Sequence, residues 1–255
     1  MAEGRPSTAP VLATDRLTRR FGGLIAVREV SIALHHGELH AVIGPNGAGK
    51  TTLVNMLSGE LRPTAGAIAF AGRDVAGEPA WRMARLGIAR SFQRTDILGS
   101  LSVLENVRLA VQAVAGASHH PLRLATRARE LVDRAQMALA RCGLEAVAGR
   151  EAGALAHGEQ RQLEVAMALA GKPKVVLLDE PLAGMGPEET QRMTGLLLEL
   201  RRDHAILLIE HDMDVVFAVA DWVTVMVEGG VLAEGRPAAV RANAVVRAAY
   251  LGGDS

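Results

Sequence analysis

The sequence predicts an α/β fold whose core is a mostly parallel β-sheet. Three apolar runs, LHAVIG, KVVLLDEP and AILLIEHD, are short and rich in aliphatic residues, and each is followed by Gly, Pro or polar residues, as is typical of buried strands. A helix-like stretch follows each run, and this alternation of strand and helix indicates parallel pairing. Because ligands of such sheets bind at the carboxyl ends of the strands, functional residues are expected there.

Further elements are predicted on both sides of this core. The early segments VREVSIAL and AIAFAG have strand character, and VTVMVEGGVLAEG places Gly229 and Gly230 between two alternating runs, which predicts a tight hairpin. From about residue 101 to 155 the chain is rich in Ala, Arg and Leu, and we interpret this segment as a helical subdomain inserted between segments 1–100 and 156–255 of a single α/β domain. The C-terminal RANAVVRAAYLGG predicts an amphipathic closing helix, with a partner contact as the alternative.

Length and composition limit the function. A chain of 255 residues with 49% hydrophobic content can form a buried core, and its formal net charge of zero provides no field for holding nucleic acid, which is therefore not expected as a partner. A single cysteine, Cys142, rules out an internal disulfide, and with no apolar leader at the start it indicates a reducing cytoplasm. The apolar runs are much shorter than the ~20 residues that cross a bilayer, so membrane association is expected only through partners.

The segment GPNGAGKTT predicts a phosphate-binding loop. It follows the strand LHAVI and precedes the helix-like TLVNMLSG, which is the context that the pattern G-x-x-x-x-G-K-[ST] requires. Glycines let successive N–H groups converge on one anion, and the helix start adds its dipole. Lys50 is expected to reach the β- and γ-phosphates, and the Thr51 hydroxyl to ligate Mg²⁺. The only other lysines of this arginine-rich chain are Lys172 and Lys174. The predicted nucleotide-binding residues of the loop are Gly44, Pro45, Asn46, Gly47, Ala48, Gly49, Lys50, Thr51 and Thr52.

Two carboxylates end the strand VVLLDE, beside this loop in the predicted sheet. Asp179 is the candidate Mg²⁺ ligand, and Glu180 is the candidate general base for an attacking water; a solvated acidic turn before Pro181 is the alternative. His211 follows the strand AILLI and is a candidate for a hydrogen bond to the γ-phosphate, although a lone histidine at a strand end is more often structural.

Two histidine pairs also have to be considered as metal ligands. His35–His36 and His119–His120 have no companions at metal-ligand spacing, so we interpret both pairs as parts of surface loops.

In order and spacing, these segments resemble the ATP-binding subunits of ABC transporters over nearly the whole chain. RSFQ resembles the Q-loop, and the resemblance implies that Gln93 is a ligand of water and Mg²⁺ that links the site to membrane subunits. Phe21 matches the aromatic residue that stacks on adenine, LAGMG matches the D-loop, and His211 matches the switch histidine. The resemblance implies a P-loop NTPase fold of the ABC type, with an antiparallel β part, that hydrolyses ATP with Mg²⁺.

LAHGEQ lies where this family has its signature sequence. The resemblance implies a head-to-tail dimer in which the signature helix of one subunit covers the γ-phosphate bound to the other. The residues it assigns to that contact are Ala156, His157, Gly158, Glu159 and Gln160. The family normally has serine at position 156, so a hydroxyl donor is lost together with an N-cap side chain worth ~1 kcal/mol. We hypothesise that Ala156 marks the weaker hydrolytic site of an asymmetric pair.

Within the family, RLGIARSFQ, LSVLENV, LAGMGPEET and EHDMDVVFAVAD resemble the subgroup that imports branched-chain or other hydrophobic amino acids. Urea and lipopolysaccharide are the cargo of close relatives and remain alternatives. The resemblance implies two transmembrane permease subunits, a second ATPase subunit that is identical or different, an external substrate-binding protein that acts indirectly, and a peripheral location at the cytoplasmic face of the inner membrane.

Two other classes of protein share part of the pattern. A soluble ABC ATPase acting on ribosomes or DNA usually joins two cassettes or adds long insertions, and neither is visible in the sequence. A small-molecule kinase or GTPase would explain the phosphate loop but would leave LAHGEQ, Gln93 and EHD without a role.

Overall fold

The computed structural model describes residues 8–91, 97–115 and 124–251, and of 124–128, 250 and 251 it describes the backbone alone. The strands of these residues are β1 Leu12–Phe21, β2 Leu24–Val30, β3 Ala33–Leu34, β4 Leu39–Ile43, β5 Ala65–Phe70, β6 Arg73–Asp74, β7 Ile88–Arg90, β8 Val175–Asp179, β9 Ala205–Ile209, β10 Trp222–Val227 and β11 Gly230–Gly235. The helices are α1 Lys50–Leu57, α2 Ala80–Leu86, α3 Val103–Ala115, α4 Leu124–Arg141, α5 His157–Leu169, α6 Pro187–Leu200, α7 Met213–Val219, α8 Pro237–Ala242 and α9 Ala244–Leu251.

The core sheet has the strand order β11-β10-β4-β9-β8-β7. Every pairing in it is parallel except that of β10 with β11. The strands β4, β8 and β9 are buried at every position, because helices cover both faces of a parallel sheet. These are the three apolar runs of the sequence, so the prediction of a mostly parallel α/β core is confirmed.

The second sheet is antiparallel, with the order β2-β1-β5-β6 and with β3 paired to β1. The predicted strand character of VREVSIAL is confirmed, and the segment forms parts of two strands, β2 and β3, because the chain leaves the ladder between Val30 and Ala33. The Thr14 hydroxyl takes part there: it donates to the Val30 carbonyl at 2.9 Å and accepts from the Ile32 N–H at 2.9 Å. A side chain thus replaces part of the backbone ladder.

The hairpin of β10 and β11 is confirmed, but its turn lies one residue earlier than predicted. The turn residues are Glu228 and Gly229, with φ angles of 48° and 82°, and Gly230 already belongs to β11. Two positive φ angles are typical of the tight turns that match the twist of paired strands.

The segment predicted as a helical subdomain contains α3 and α4. Their buried residues share one apolar cluster with α5, α6 and one face of the core sheet, including Val107, Leu139, Leu163, Leu197 and Leu208. The C-terminal helix is also confirmed, since α9 buries Val246 against β4 and β10 while the neighbouring Val245 is exposed. The α5 start and the carboxyl ends of β4, β8 and β9 are the parts that carry the predicted functional residues.

Candidate nucleotide-binding site

The loop between β4 and α1 has a backbone that requires glycine. Gly47 and Gly49 adopt φ angles of 82° and 95°, which L residues rarely take. A Cβ on Gly49 would lie 2.2 Å from the Ala26 carbonyl oxygen, so this residue packs directly against the backbone of β2. The helix α1 begins at Lys50, immediately after the loop, so its unpaired N–H groups and its positive dipole end face the region enclosed by the loop.

Lys50 lies inside this loop. Its ammonium donates to the Gly44 carbonyl at 2.6 Å and to the Pro45 carbonyl at 3.0 Å. Burial lowers the pKa of Lys50, and the carboxylates of Glu180 and Asp179 oppose that shift by favouring the charged form. The cationic side chain predicted to contact phosphate is therefore held at the mouth of the loop, within electrostatic range of both predicted carboxylates.

One cleft of about 830 Å³ contains most of the predicted nucleotide-binding residues. Its walls include Phe21 at the end of β1, residues 46–52 of the loop and α1, and Glu180 after β8. The volume lies in the range of ~300–1,000 Å³ that is usual for small-molecule sites. The Phe21 ring is half exposed, and the Arg19 guanidinium lies 4.5 Å from its centroid. The structure therefore places an exposed aromatic ring and the phosphate loop in the same cleft.

Asp179 ends β8 and is 1% exposed. Its Oδ2 accepts a hydrogen bond from Nη2 of Arg90 at 3.2 Å, whereas its Oδ1 is buried without a partner among the described residues. Burial raises the pKa of Asp179, and the nearby Arg90 guanidinium acts in the opposite direction. A buried carboxylate oxygen without a partner is unfavourable, and a hard cation such as Mg²⁺ prefers this kind of ligand. Together with the exposed Thr51 hydroxyl at the start of α1, this oxygen fits the predicted metal.

Glu180 has a backbone conformation that the sequence did not reveal. Its φ angle is 52°, which is uncommon for a residue with a side chain, and its N–H donates to the Ile209 carbonyl at 2.9 Å. Strained backbone of this kind concentrates at functional sites. Glu180 lines the cleft beside Lys50.

His211 follows β9 and its side chain is 67% exposed. His211 is not among the described residues that line the cleft. The buried Glu210 lies next to it and was missed by the sequence analysis: its Oε1 accepts from the Leu182 N–H at 2.8 Å, and its Oε2 accepts from the His211 N–H at 3.3 Å. Burial raises the pKa of Glu210, and the two N–H groups oppose this by stabilising the carboxylate. Glu210 thereby ties the segment after Glu180 to the end of β9.

The signature residues lie at the start of α5, with Ala156 as the N-cap. Glu159 Oε2 accepts from the Ala156 N–H at 3.0 Å, but this bond serves the N-cap residue and not the first-turn N–H groups from which a serine hydroxyl would accept. Gly158 is buried, and its N–H donates to Glu189 Oε1 at 3.1 Å. Ala156, Gly158 and Glu159 line a different cavity from the one that holds the phosphate loop. The described part of a single chain thus keeps the signature sequence and the loop apart.

The structure describes only some of the remaining predicted residues. Gln93, His119 and His120 lie outside the described residues. The assignment of His35 to a surface loop is wrong: it is 5% exposed, because the turn after β3 folds it inward, whereas His36 is exposed as expected. Within the described residues, no group of three His, Cys, Asp or Glu side chains forms a metal-binding cluster.

Taken together, the parallel sheet, the phosphate loop before α1 and the carboxylates after β8 define an ATPase of the P-loop class. The family model of ABC transporters matches residues 27–183, and a model of the branched-chain amino acid ATP-binding cassette transporter matches residues 231–255. The chain belongs to the ABC transporter family, as one of its ATP-binding subunits.

Curated relatives match the chain over almost its full length. The high-affinity branched-chain amino acid transport ATP-binding protein LivG of Salmonella typhimurium is 42% identical over 250 residues, which cover 95% of this chain and 98% of the relative. The corresponding protein BraF of Pseudomonas aeruginosa is 39% identical over 251 residues, with the same coverage.

Solved structures of ATP-binding cassettes share the fold. An ADP conformation of a cassette from an ABC transporter superposes with a TM-score of 0.84 at 30% identity, covering 96% of this chain and 100% of that one. A nucleotide-free cassette has a TM-score of 0.83, also at 30% identity, and covers 94% of this chain and 98% of that one. In the described part of the chain, the helices are all too short or too polar to span a bilayer.

Proposed function

We propose that this chain is the ATP-hydrolysing subunit of an ABC importer for branched-chain or other hydrophobic amino acids. The observation that carries the chemistry is the single cleft in which the glycine loop, Lys50 and Glu180 meet. The cargo is supported by relatives that are 39–42% identical over 95% of the chain and are named branched-chain amino acid transport ATP-binding proteins. Urea and lipopolysaccharide remain the alternative cargoes, and a soluble ATPase without a transporter is the alternative from another class.

The residues of the cleft have different roles in ATP hydrolysis. Phe21 stacks on the adenine, while Gly44 to Thr52 hold the phosphates through backbone N–H groups, with Lys50 as their counter-charge. Thr51, Gln93 and Asp179 would hold Mg²⁺, which when bound neutralises charge on the phosphate oxygens.

Glu180 acts as the general base: it accepts a proton from the water whose oxygen bonds to the γ-phosphorus. The bond from that phosphorus to the β–γ bridging oxygen breaks at the same centre, and ADP leaves with the electron pair. His211 donates a hydrogen bond to the γ-phosphate. In one chain His211 is exposed outside the cleft, so this contact requires closure around the nucleotide.

The site is completed by a second cassette, identical or different, whose signature residues Ala156 to Gln160 cover the γ-phosphate. Support comes from the separation of signature and phosphate loop within one chain. ATP-driven closure of the pair would move two permease subunits docked near Gln93, with an external substrate-binding protein delivering the cargo. These contacts would place the chain at the cytoplasmic face of the inner membrane as a peripheral subunit.

The test uses proteoliposomes that hold the chain with its permease subunits and binding protein. We expect ATP to drive uptake of labelled leucine, and Glu180→Gln to slow hydrolysis by ~10²–10⁴ while ATP still binds, since that is the usual contribution of a general base. Glu188→Gln, an exposed glutamate in the first turn of α6, is the matched control. Near-normal hydrolysis by Glu180→Gln would remove Glu180 from its role, and ATP hydrolysis without leucine uptake would contradict the cargo.

A further inference from the structure

We infer that Arg90 is a positioning residue for Asp179: its guanidinium fixes one carboxylate oxygen so that the other is presented to Mg²⁺. This inference rests on the proposed function, in which Asp179 is a metal ligand. Arg90 does not line the nucleotide cleft, and it was not singled out from the sequence.

Arg90 is the last residue of β7, the strand that pairs in parallel with β8. Its side chain is 7% exposed, and its two terminal nitrogens face different partners. Nη2 donates to Asp179 Oδ2 at 3.2 Å, while Nη1 donates to Glu60 Oε2 at 2.9 Å and to Ser58 Oγ at 3.2 Å. Nη1 also donates to the Asn55 side-chain oxygen. The guanidinium is therefore held by α1 and the loop after it through Nη1, while Nη2 donates to Asp179.

This arrangement leaves the two oxygens of Asp179 in different states. Oδ2 is fixed by Arg90, whereas Oδ1 is buried and has no partner among the described residues. A carboxyl group held at one oxygen cannot rotate freely, so the direction of the other oxygen is set by Arg90. Partners of this kind orient metal ligands, and their loss typically lowers metal affinity by ~10–100-fold.

The charges around Arg90 also indicate that this residue does more than form a structural ion pair. Glu60 alone would neutralise the single positive charge of Arg90, yet the guanidinium lies between two carboxylates, of which Asp179 is the more deeply buried. The contacts need a planar group with several fixed donors, because donors toward α1 and toward β8 must act at once. Lysine has the charge but only one nitrogen, so it cannot keep both sides of the network.

The experiment measures how much Mg²⁺ tightens nucleotide binding. A fluorescent ATP analogue is titrated into the full chain in EDTA and at a series of Mg²⁺ concentrations, for wild type, Arg90→Lys, Arg90→Gln, Asp179→Asn and the double variant Arg90→Gln/Asp179→Asn. Arg82→Gln is the control, because Arg82 forms a comparable ion pair with Glu78 at 3.2 Å on the exposed surface of α2. Thermal unfolding of each variant reports on the fold.

We expect Arg90→Gln to weaken Mg²⁺ binding by ~10–100-fold with unchanged affinity for the nucleotide in EDTA, and Arg90→Lys to restore only part of the loss. In the Asp179→Asn background, Arg90→Gln should cause no further loss, since it acts through Asp179. If Arg90→Gln does not fold, the Mg²⁺ affinity of Arg90→Lys decides whether Arg90 positions Asp179. An equal loss of affinity with and without Mg²⁺, or an additive effect in the double variant, would overturn the inference.

The same measurements distinguish a wrong role for Arg90 from a wrong role for Asp179 in the proposed function. If Mg²⁺ does not tighten nucleotide binding in wild type, or Asp179→Asn leaves the effect intact, the assignment of Asp179 as a metal ligand is wrong. If Asp179→Asn abolishes the effect while both Arg90 variants retain it, only the role of Arg90 is wrong.

Discussion

At the scale of single residues, the site depends on ionisable groups that the fold removes from water. Asp179 and Glu210 are buried carboxylates, and each is held by specific donors: a guanidinium for Asp179 and two backbone N–H groups for Glu210. Lys50 is held by two loop carbonyls. Such partners offset the cost of burying charge, and they also fix where each charge lies.

Cys142 provides a contrast, because burial there outweighs the nearby charge of Arg141. It is 2% exposed, and burial raises its pKa to about 12 from 9.0. We therefore expect the folded protein to resist a disulfide reagent such as Ellman's reagent at pH 8 and to release one thiol equivalent in urea, because the thiolate is the reactive form. Rapid reaction of the folded chain would contradict the burial. Since the folded pKa is the higher one, the contribution of Cys142 to stability is present below about pH 9 and is lost as the pH rises toward about 12.

At the scale of elements, the start of α5 shows how a helix tolerates an N-cap without a polar side chain. Ala156 has no side-chain acceptor for the first turn, but two glutamates accept from backbone N–H groups at this helix start. Glu159 accepts from the Ala156 N–H, and Glu189 at the start of α6 accepts from the Gly158 N–H. Glu189 also accepts from the Gly186 N–H at 3.1 Å, so one carboxylate links two helix starts.

Ala156→Ser tests whether the missing hydroxyl matters. We expect the free energy of unfolding to rise by ~1 kcal/mol, because serine is a good N-cap, and turnover of the assembled transporter to rise with it. Urea unfolding and steady-state ATP hydrolysis measure the two effects. Ala168→Ser is the matched control within α5, where serine should destabilise the helix slightly. Unchanged ATP affinity and turnover in Ala156→Ser would contradict the hypothesis that Ala156 marks a weaker hydrolytic site.

At the scale of the whole molecule, the main finding is that the two groups of predicted ATP-contacting residues occupy different surfaces. The phosphate loop opens into the cleft beside Phe21 and Glu180, while Ala156 and Gly158 line a cavity with residues of α6. If both groups contact the same γ-phosphate, as we propose, two cassettes must pair head to tail. The stability of that pair then depends on nucleotide.

Light scattering of the Glu180→Gln variant on a size-exclusion column measures this pairing. The single chain has a mass of 26.9 kDa. A mass that Mg-ATP doubles would show that two identical chains pair, since slowed hydrolysis preserves the closed pair, and it would contradict the asymmetric pair inferred from Ala156. The same variant without nucleotide is the control. A mass that stays that of one chain while ATP is bound would contradict self-pairing, and a different cassette would then be the partner to seek.

Much of the fold and the phosphate loop could be predicted from sequence, because their signals are local. Burial on both faces makes a parallel strand a continuous apolar run, and the loop needs its glycines and Lys50 at fixed spacing between a strand and a helix. Asp179 and Glu180 could be found for the same reason, since they end such a run. Identification of the family depended on the order of these motifs along the chain.

Only the tertiary structure revealed which residues hold the functional side chains in place. Arg90 lies 89 positions from Asp179, and Glu210 lies 28 positions from Leu182, so no local pattern links either pair. The break between Val30 and Ala33, where the Thr14 side chain bonds to the backbone, and the burial of His35 were missed for the same reason, because both depend on what packs against the segment. The sequence by itself determined the buried core strands, the phosphate loop and the family, since these depend on neighbouring residues. The tertiary structure decided how each charge is oriented, because that depends on contacts between distant parts of the chain.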